Sequence, residues 1–239
     1  MFKINIAIDG PSSGGKSTMA RALARQIGYT YIDTGAMYRA VTLHALRSGV
    51  FRDGVINEDA LRTVLPRTFI LFRLNPQTGF SDTYLNEVNV ESDIRSMEVA
   101  AQVSYVAAIP FVRKALVSRQ RALGRRKGVV MDGRDIGSVV IPDAELKVFV
   151  TAPPEVRAQR RYKELQDKGL AVTYEEVLQN IVERDRMDST RKDSPLAPPP
   201  DSYILNNAGL SIEEQLHILT ELFKERLDRF SQRVQNLQQ

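Results

Sequence analysis

The chain contains no cysteine among its 239 residues. Disulfide bonds and thiolate-bound metals are therefore excluded, and a reducing compartment is the expected setting. No uncharged stretch approaches the 18 residues of a membrane-spanning helix, and the apolar run over 3–9 is too short for the core of a signal peptide. We therefore expect a cytoplasmic protein without a membrane segment. The two histidines, His44 and His217, are interpreted as ordinary helix residues rather than metal ligands.

The balance of charge hints at anionic partners. Lysine and arginine number 33 against 29 aspartate and glutamate residues, which gives a net charge of +4, and 24 of the 33 are arginine. Arginine holds phosphate and carboxylate with a planar fork that lysine cannot form, although genomic base composition would produce the same excess. Several arginines lie within acidic sequence, as in ERDR at 183–186, and this is not the pattern of a duplex-binding stripe. We therefore expect small-molecule partners and no nucleic acid.

The order of the predicted elements indicates an α/β fold. A β-branched strand over 3–9 precedes a helix over 16–27, and a second strand and helix follow over 30–33 and 36–47. This alternation is typical of a parallel sheet flanked by helices. The length of the chain and its 43% hydrophobic content fit one core domain that carries insertions.

The rest of the chain interrupts this pattern and then resumes it. Short β segments over 67–90, with turn signals at 75–79 and near Asn86, predict a small antiparallel meander inserted into the core. Ser211 and Glu214 form the signature of a capping box. The remaining predicted elements are helices over 92–108 and 111–124, strands over 128–132 and 146–151, helices over 154–169 and 173–188, an irregular proline-rich segment over 194–201, a strand over 202–205 and a helix over 211–234.

A glycine-rich loop follows the first strand. The sequence GPSSGGKS at 10–17 fits G-x-x-x-x-G-K-[ST], with the strand before it and the helix after it that this motif requires. Its glycines let successive N–H groups point inward at a helix N-terminus, where the dipole favours negative charge. We expect Lys16 to reach the β- and γ-phosphates of a nucleoside triphosphate and the Ser17 hydroxyl to bind Mg²⁺. The residues assigned to the donor nucleotide are Gly10, Pro11, Ser12, Ser13, Gly14, Gly15, Lys16, Ser17 and Thr18.

The segment DTGAMYR at 33–39 follows the second strand. In an open parallel sheet such strand ends face the ligand crevice. Asp33 and Thr34 are placed to cap the next helix, and Tyr38 and Arg39 one turn later offer an aromatic face and a guanidinium fork. A capped helix with a core tyrosine would produce the same pattern.

The segment DGRD at 132–135 follows the third strand and falls on the same edge. Asp132 ends an apolar run at the place of a Walker-B acid, which helps to position Mg²⁺ and its waters. Gly133 would let the backbone approach a ligand closely, and Arg134 would clamp a phosphate. The alternative is a simple turn at the end of a strand.

Six segments together resemble the bacterial cytidylate kinase family. They are GPSSGGKST at 10–18, DTGAMYR at 33–39, SYVAAIPFVRKAL with RQRAL at 104–123, DGRDIGSVVIPDA at 132–144, EVRAQRR at 155–161 and ERDRMDSTR at 183–191. The similarity extends from Ile4 to about Leu219, and the second and fourth segments are much more specific than the loop. One departure is Ser13, where many members carry glycine or alanine. We expect it to have little effect because the surrounding glycines remain.

The resemblance implies a P-loop NTPase core with a five-stranded parallel sheet flanked by helices. It also implies an inserted nucleoside monophosphate-binding domain with a small antiparallel sheet, and a helical lid. The corresponding division assigns 1–33, 109–154 and 189–239 to the core, 34–108 to the insertion and 155–188 to the lid.

The resemblance further implies a role for individual residues. Thr34, Arg113 and Arg191 would contact the cytosine ring, and Tyr38 would pack near it. Arg39 and Arg134 would hold the acceptor phosphate, with Gly133 next to Arg134 in the same substrate site. The ribose hydroxyls would be met by Ser104, Arg184 and Asp188, and Asp135 would support this cluster. Arg157 and Arg161, four residues apart on one face of the lid helix, would close over ATP. The implied catalytic set is Lys16, Asp132, Arg134, Arg157 and Arg161.

The expected activity is Mg²⁺-dependent transfer of the γ-phosphoryl group of ATP to CMP or dCMP by a monomer. A P-loop kinase for another small acceptor, such as UMP, stays an alternative. A GTP-binding switch protein is a second alternative, but the sequence has neither an N-K-x-D nor a D-x-x-G motif. A nucleic-acid-binding module is a third, and it would bind duplexes with a steep dependence on salt.

Overall fold

The chain divides into two compact units in a computed structural model that describes residues 2–52 and 54–236. Met1–Ile32 with Arg119–Gln239 form one unit, hereafter the core unit, and Asp33–Ser118 form the other, hereafter the inserted unit. Residues 1, 53 and 237–239, which the sequence assigns to the core and the insertion, lie outside the described residues. The separate lid predicted over 155–188 stays a prediction.

Helices and strands alternate along most of the chain. In chain order they are β1 (Ile6–Asp9), α1 (Lys16–Ile27), β2 (Thr30–Asp33), α2 (Thr34–Arg47), β3 (Phe51–Arg52), β4 (Val55–Ile56), α3 (Glu58–Val64), β5 (Ile70–Leu74), β6 (Ser81–Leu85), β7 (Val88–Asn89), α4 (Met97–Ala108), α5 (Pro110–Gly124), β8 (Val129–Gly133), β9 (Leu146–Thr151), α6 (Pro154–Asp167), α7 (Tyr174–Thr190), β10 (Tyr203–Asn206) and α8 (Ile212–Asn236). Within the described ranges, no helix combines the length and the apolar character needed to cross a membrane.

A five-stranded sheet runs through the core unit in the order β10-β9-β1-β8-β2. The central strand β1 pairs in parallel with β9 on one side and with β8 on the other, where Ile6 lies opposite Val130 and Asp9 opposite Gly133. All four residues of β1 are buried, because a central parallel strand is covered on both faces. The carboxyl ends of β1 and β8 therefore lie side by side. The predicted α/β fold with a five-stranded parallel sheet is confirmed.

The helix that follows the glycine-rich loop packs against this sheet. Met19 and Leu23 of α1 are buried in one apolar cluster with Leu219 and Phe223 of α8. Gly28, with φ of +69°, ends α1 in the left-handed conformation that favours glycine. The capping box predicted at the start of α8 is confirmed by its two reciprocal hydrogen bonds.

The inserted unit is built around the packing of α2 on α4. Met37 and Val41 of α2 lie in one apolar cluster with Val103 and Val106 of α4. Strands β5, β6 and β7 pair in antiparallel fashion, so the predicted meander is confirmed. The clusters that hold this unit together contain its own residues, as expected for a compact insertion.

Three features of the structure differ from the sequence expectations. The helix expected over 92–108 begins only at Met97, because Ser96 accepts a hydrogen bond from the Val99 N–H and caps it; a 3-10 turn precedes the cap. The short β3–β4 pair and α3 were not predicted. A single π-helical turn over Ile136–Val140, also not predicted, follows β8. Elements of two to seven residues give little periodic signal.

Replacing Leu23 tests the packing of the core unit. Leu23 is fully buried, so Leu23→Ala should lower the free energy of unfolding by about 2–5 kcal/mol through lost burial and a residual cavity. Leu170→Ala is the matched control, because that side chain is 45% exposed and its loss should cost less than about 0.5 kcal/mol. Urea unfolding followed by circular dichroism measures both, and equal stability of the two variants would contradict the described packing.

Candidate active site

The glycine-rich loop joins β1 to α1, and three of its residues have the positive φ values that bend its backbone. These are Gly10 at +146°, Ser13 at +54° and Gly15 at +80°. A Cβ atom on Gly10 would collide with the backbone carbonyl oxygen of Val150, so no other residue fits there. Ser13 is a serine in the left-handed region, a conformation that costs a residue with a Cβ about 1–2 kcal/mol.

Protein donors hold three carbonyl groups of this loop. Lys16 Nζ donates to the Pro11 carbonyl at 2.5 Å, Arg157 Nη1 to the Ser12 carbonyl at 3.1 Å, and Asn207 Nδ2 to the Gly14 carbonyl at 2.9 Å. In a trans peptide the carbonyl and the following N–H point in opposite directions. Fixing these carbonyls therefore fixes the next N–H groups on the other side, as an anion-binding loop requires.

A buried hydroxyl in the loop tests whether a triphosphate fits. Ser12 is 3% exposed, and its Oγ has no hydrogen-bond partner among residues 2–52 and 54–236. Buried polar groups in native proteins are nearly always bonded. A phosphate oxygen would satisfy this hydroxyl, so the loop fits the triphosphate predicted for it.

The ammonium group of Lys16 is buried at the start of α1. Burial, together with the charge of Arg134, lowers the pKa of Lys16 to about 7, while Asp132 and Asp9 act in the opposite direction. An anion placed beside the ammonium would raise this pKa again, because it favours the charged form. We therefore expect the binding of a phosphate to be coupled to the protonation of Lys16.

Asp9, for which no role is predicted from the sequence, anchors the loop that follows β8. Its fully buried carboxylate accepts the N–H groups of Ile136 at 2.7 Å and of Gly137 at 2.8 Å. Burial raises the pKa of Asp9 to about 6, against the effect of both N–H bonds. The sequence contains a pattern that could have indicated a role for Asp9, because Asp9 ends an apolar strand just as Asp132 does.

The carboxylate of Asp132 is held from both sides. Ser17 Oγ donates to Oδ2 at 2.8 Å, and the Tyr31 hydroxyl donates to Oδ1 at 2.8 Å. The guanidinium of Arg21 lies over the Tyr31 ring, 5.2 Å from its centroid. No role was predicted for Tyr31, because its hydrogen bond with Asp132 joins residues 101 positions apart.

The Ser17–Asp132 pair fits the predicted Mg²⁺. Mg²⁺ prefers oxygen ligands and keeps several waters while it binds substrate phosphates. The described residues contain no group of three or more histidine, cysteine, aspartate or glutamate side chains that could hold a metal by themselves. The binding of the ion by Ser17 together with phosphates and waters, and the orientation of those waters by Asp132, stay predictions.

Arg134 is held by Asp188. Its Nε donates to Asp188 Oδ2 at 2.8 Å, and its two terminal amino groups have no hydrogen-bond partner within the described part of the chain. Burial alone would raise the pKa of Asp188, but Arg134, Arg184 and Arg191 hold it below its usual value. The structure thus brings three predicted arginines to one carboxylate, and it leaves the fork of Arg134 open to an anion.

Asp135 begins the π-helical turn, and its backbone carbonyl accepts the N–H groups of Val139 and Val140. Its carboxylate lies 3.8 Å from Arg191 Nη2. Arg191 caps the end of α7 and donates from Nε to the Ser194 carbonyl at 2.6 Å. Of the three residues predicted here, Arg184 and Asp188 therefore lie in the last turns of α7, and Arg191 is its C-cap.

The two arginines predicted on the lid helix have different surroundings. Arg157 is 3% exposed and donates to three protein acceptors, which are the carbonyls of Ala152 and Ser12 and the carboxylate of Asp185. Arg161 is 20% exposed and pairs with Glu164 one turn further along α6. Contact of either arginine with ATP stays a prediction.

The inserted unit contains the other predicted acceptor residues. Asp33 caps α2 by accepting the Ala36 N–H at 2.8 Å, and it pairs with Arg39 at 2.9 Å. Thr34, also considered as a cap, is instead the first residue of the helix, and Tyr38 is buried one turn later. Ser104 of α4 and Arg113 of α5 are buried in the same unit, 6% and 4% exposed.

The lowered pKa of Lys16 predicts that nucleotide binding depends on pH. The free protein loses the Lys16 proton as the pH rises through about 7, whereas a complex with bound phosphates retains it. The association constant for MgADP should therefore fall between pH 7 and 9, by up to about tenfold per pH unit. Calorimetry in buffers of different ionisation enthalpy measures the proton uptake, and Lys16→Met should abolish it. Uptake that persists in Lys16→Met would assign the proton to another group.

Tyr31→Phe tests the support of Asp132. Loss of the hydroxyl removes the hydrogen bond from Tyr31 to the carboxylate, and mutation of an outer-shell partner of a metal site typically weakens metal binding by about tenfold or more. We expect the Mg²⁺ concentration that half-saturates ADP binding to rise by about tenfold. Tyr203→Phe, at a side chain 41% exposed, is the control. An unchanged Mg²⁺ requirement in Tyr31→Phe would show that Asp132 keeps its orientation without the Tyr31 hydroxyl.

Comparison with known proteins identifies the family. The cytidylate kinase family model matches residues 6–225. A cytidylate kinase from Phocaeicola vulgatus is 58% identical over 94% of this chain and 98% of that protein, and one from Parabacteroides distasonis is 58% identical over 93% and 97%. Among solved structures, a shikimate kinase from Bacteroides thetaiotaomicron has a TM-score of 0.46 at 15% identity, over 93% of this chain and 99% of that chain. The chain belongs to the cytidylate kinase family.

Proposed function

We propose that this protein transfers the γ-phosphoryl group of ATP to CMP or dCMP, giving ADP and CDP or dCDP. One observation carries the proposal: two anion-binding elements follow neighbouring strands of one sheet. The glycine-rich loop follows β1, and Arg134, whose two terminal amino groups are unengaged within the described residues, follows β8. Membership of the cytidylate kinase family supports the choice of acceptor.

The loop and Lys16 would bind the triphosphate of ATP. The inward N–H groups and the N-terminus of α1 supply fixed positive potential without reorganisation during the reaction. Lys16 adds a full charge once an anion restores its proton. When bound, Mg²⁺ supplies charge neutralisation at the β- and γ-phosphates, and Ser17 with Asp132 would hold it.

Arg134 would hold the acceptor phosphate. Its Nε stays with Asp188 while its two terminal amino groups grip the phosphate oxygens, so the carboxylate aims the fork. The acceptor oxygen is already an anion, so no general base is needed and catalysis rests on alignment and charge. The further acceptor roles predicted for Thr34, Tyr38, Arg39, Ser104, Arg113, Asp135, Arg184 and Arg191 remain proposals.

Arg161 would provide charge from the lid helix. Its guanidinium is bound only to the exposed Glu164 within the described residues, so it can move without breaking a buried contact. Closure of α6 over ATP would exclude water and limit wasteful hydrolysis. The monomeric state and the cytoplasmic location expected from the sequence remain predictions.

An acceptor panel tests the proposed activity. ADP release from ATP and Mg²⁺ is measured with CMP, dCMP, UMP, AMP, GMP and shikimate, and CMP and dCMP should lead. Arg134→Met should lower kcat/KM for CMP by about 10²–10³-fold through lost alignment and charge, and Lys16→Ala should lower kcat by a similar factor. Lys163→Met, an exposed lysine of α6, is the control for loss of one positive charge.

Each outcome of this panel is decisive. Another leading acceptor would leave the donor loop in place and refute the choice of CMP. Activity that survives Lys16→Ala would refute the phosphoryl-transfer mechanism. Normal kcat/KM for CMP in Arg134→Met would assign the acceptor phosphate to a different arginine.

A further inference from the structure

Arg157 is enclosed by protein groups rather than presented to a ligand. Its Nε donates to the Ala152 carbonyl at 2.8 Å, its Nη1 to the Ser12 carbonyl at 3.1 Å, and its Nη2 pairs with Asp185 Oδ2 at 2.6 Å. The side chain is 3% exposed. Three of its five N–H groups are engaged by protein acceptors and the side chain is buried, so this geometry favours a role within the protein.

The contact with Ser12 sets the conformation of the donor loop. The Ser12–Ser13 peptide is trans, so a carbonyl that points toward Arg157 directs the Ser13 N–H to the opposite side. Ser13 has φ of +54°, a strained value for serine that persists where the surroundings over-determine it. Arg157 is the described donor that holds the peptide immediately before this residue.

Asp185 makes the burial of Arg157 possible. A buried guanidinium without a counter-ion is strongly destabilised, and Asp185 Oδ2 supplies the counter-charge. The other oxygen, Oδ1, is buried and has no hydrogen-bond partner in the described residues. The ion pair with Arg157 is therefore the contact that stabilises this carboxylate. Arg161, four residues along α6, shows the contrast, because its partner is the exposed Glu164.

We propose that Arg157 and Asp185 form a positioning pair that holds the Ser12 carbonyl and thereby keeps Ser13 in the left-handed conformation that binds the donor phosphates. This proposal rests on the proposed function, because that function assigns the donor phosphates to the loop. It gives Arg157 a different role from the lid contact that the resemblance implies, and it leaves Arg161 as the mobile charge of α6.

The relation between Arg157 and Ser13 provides a selective test. Arg157→Met should weaken MgADP binding by about tenfold, because the strained Ser13 conformation loses the contact that holds it. Glycine adopts positive φ without cost, so adding Ser13→Gly to Arg157→Met should restore most of that loss. Ser13→Gly alone is the reference against which the double variant is compared. Asp185→Asn should weaken MgADP binding in the same direction as Arg157→Met.

Calorimetric titration with MgADP is the measurement, together with kcat and the KM values for ATP and CMP. Lys163→Met controls for charge loss on α6, and Glu183→Gln, at a glutamate whose side chain is 45% exposed and pairs with Arg186, controls for charge loss on α7. KM for ATP should rise while KM for CMP stays within about twofold. Because MgADP binding needs no acceptor, this series stays interpretable even if CMP fails in the acceptor panel.

Two results would overturn the proposal. The first is a fall in kcat for Arg157→Met with unchanged MgADP affinity, which would place Arg157 on the transferring group. The second is a loss of affinity that Ser13→Gly does not restore, since a missing phosphate contact cannot be replaced by a flexible backbone. If Arg157→Met does not fold, Arg157→Lys takes its place, and the same two outcomes decide.

Discussion

The buried carboxylate of Asp9 is the contact on which the arrangement of the core unit depends. It ends the central strand and binds the two N–H groups that open the π-helical turn after β8. The donor loop begins at the next residue, and the segment that carries Arg134 ends where Asp9 holds it. One fully buried side chain thus fixes the start of one anion-binding segment relative to the other. A carboxylate suits this position because it accepts two N–H groups at once, and burial raises its pKa to about 6.

Three buried cationic groups of the core unit lie beside aspartates before any substrate is considered. Arg134 is paired with Asp188 and Arg157 with Asp185, while Lys16 feels Asp132 and Asp9. Without these carboxylates, the cost of burying like charges together would oppose folding. The balance is incomplete at Lys16, because burial and the charge of Arg134 outweigh these aspartates and lower its pKa to about 7. The donor phosphates would complete it, so the same electrostatic imbalance that costs stability favours nucleotide binding.

Much of the fold could be predicted because its strongest signals are local. The strand before the loop, the helix that Gly28 ends, and the strand that leads to Asp132 all follow from periodicity and a few turn residues. The candidate site was predicted less completely. Tyr31 and Asn207 contact partners 101 and 193 positions away, and no local pattern announces such contacts. The π-helical turn was missed for a related reason, since Asp9, 127 positions away from its first residue, stabilises it.

Ser13 shows how a local rule can be correct and still incomplete. A serine at position 13 was expected to have little effect because glycines surround it. In the structure, however, Ser13 itself has a positive φ, and the flexibility of the neighbouring glycines does not remove that strain. A serine in that conformation needs an external restraint, and the described restraint on the preceding peptide comes from α6 through Arg157. Relatives with glycine at this position would need that restraint less, because glycine visits positive φ freely. The side chain of one loop residue thus determines how much the loop depends on an arginine 144 positions away, and the dependence follows from peptide geometry rather than from any contact with substrate.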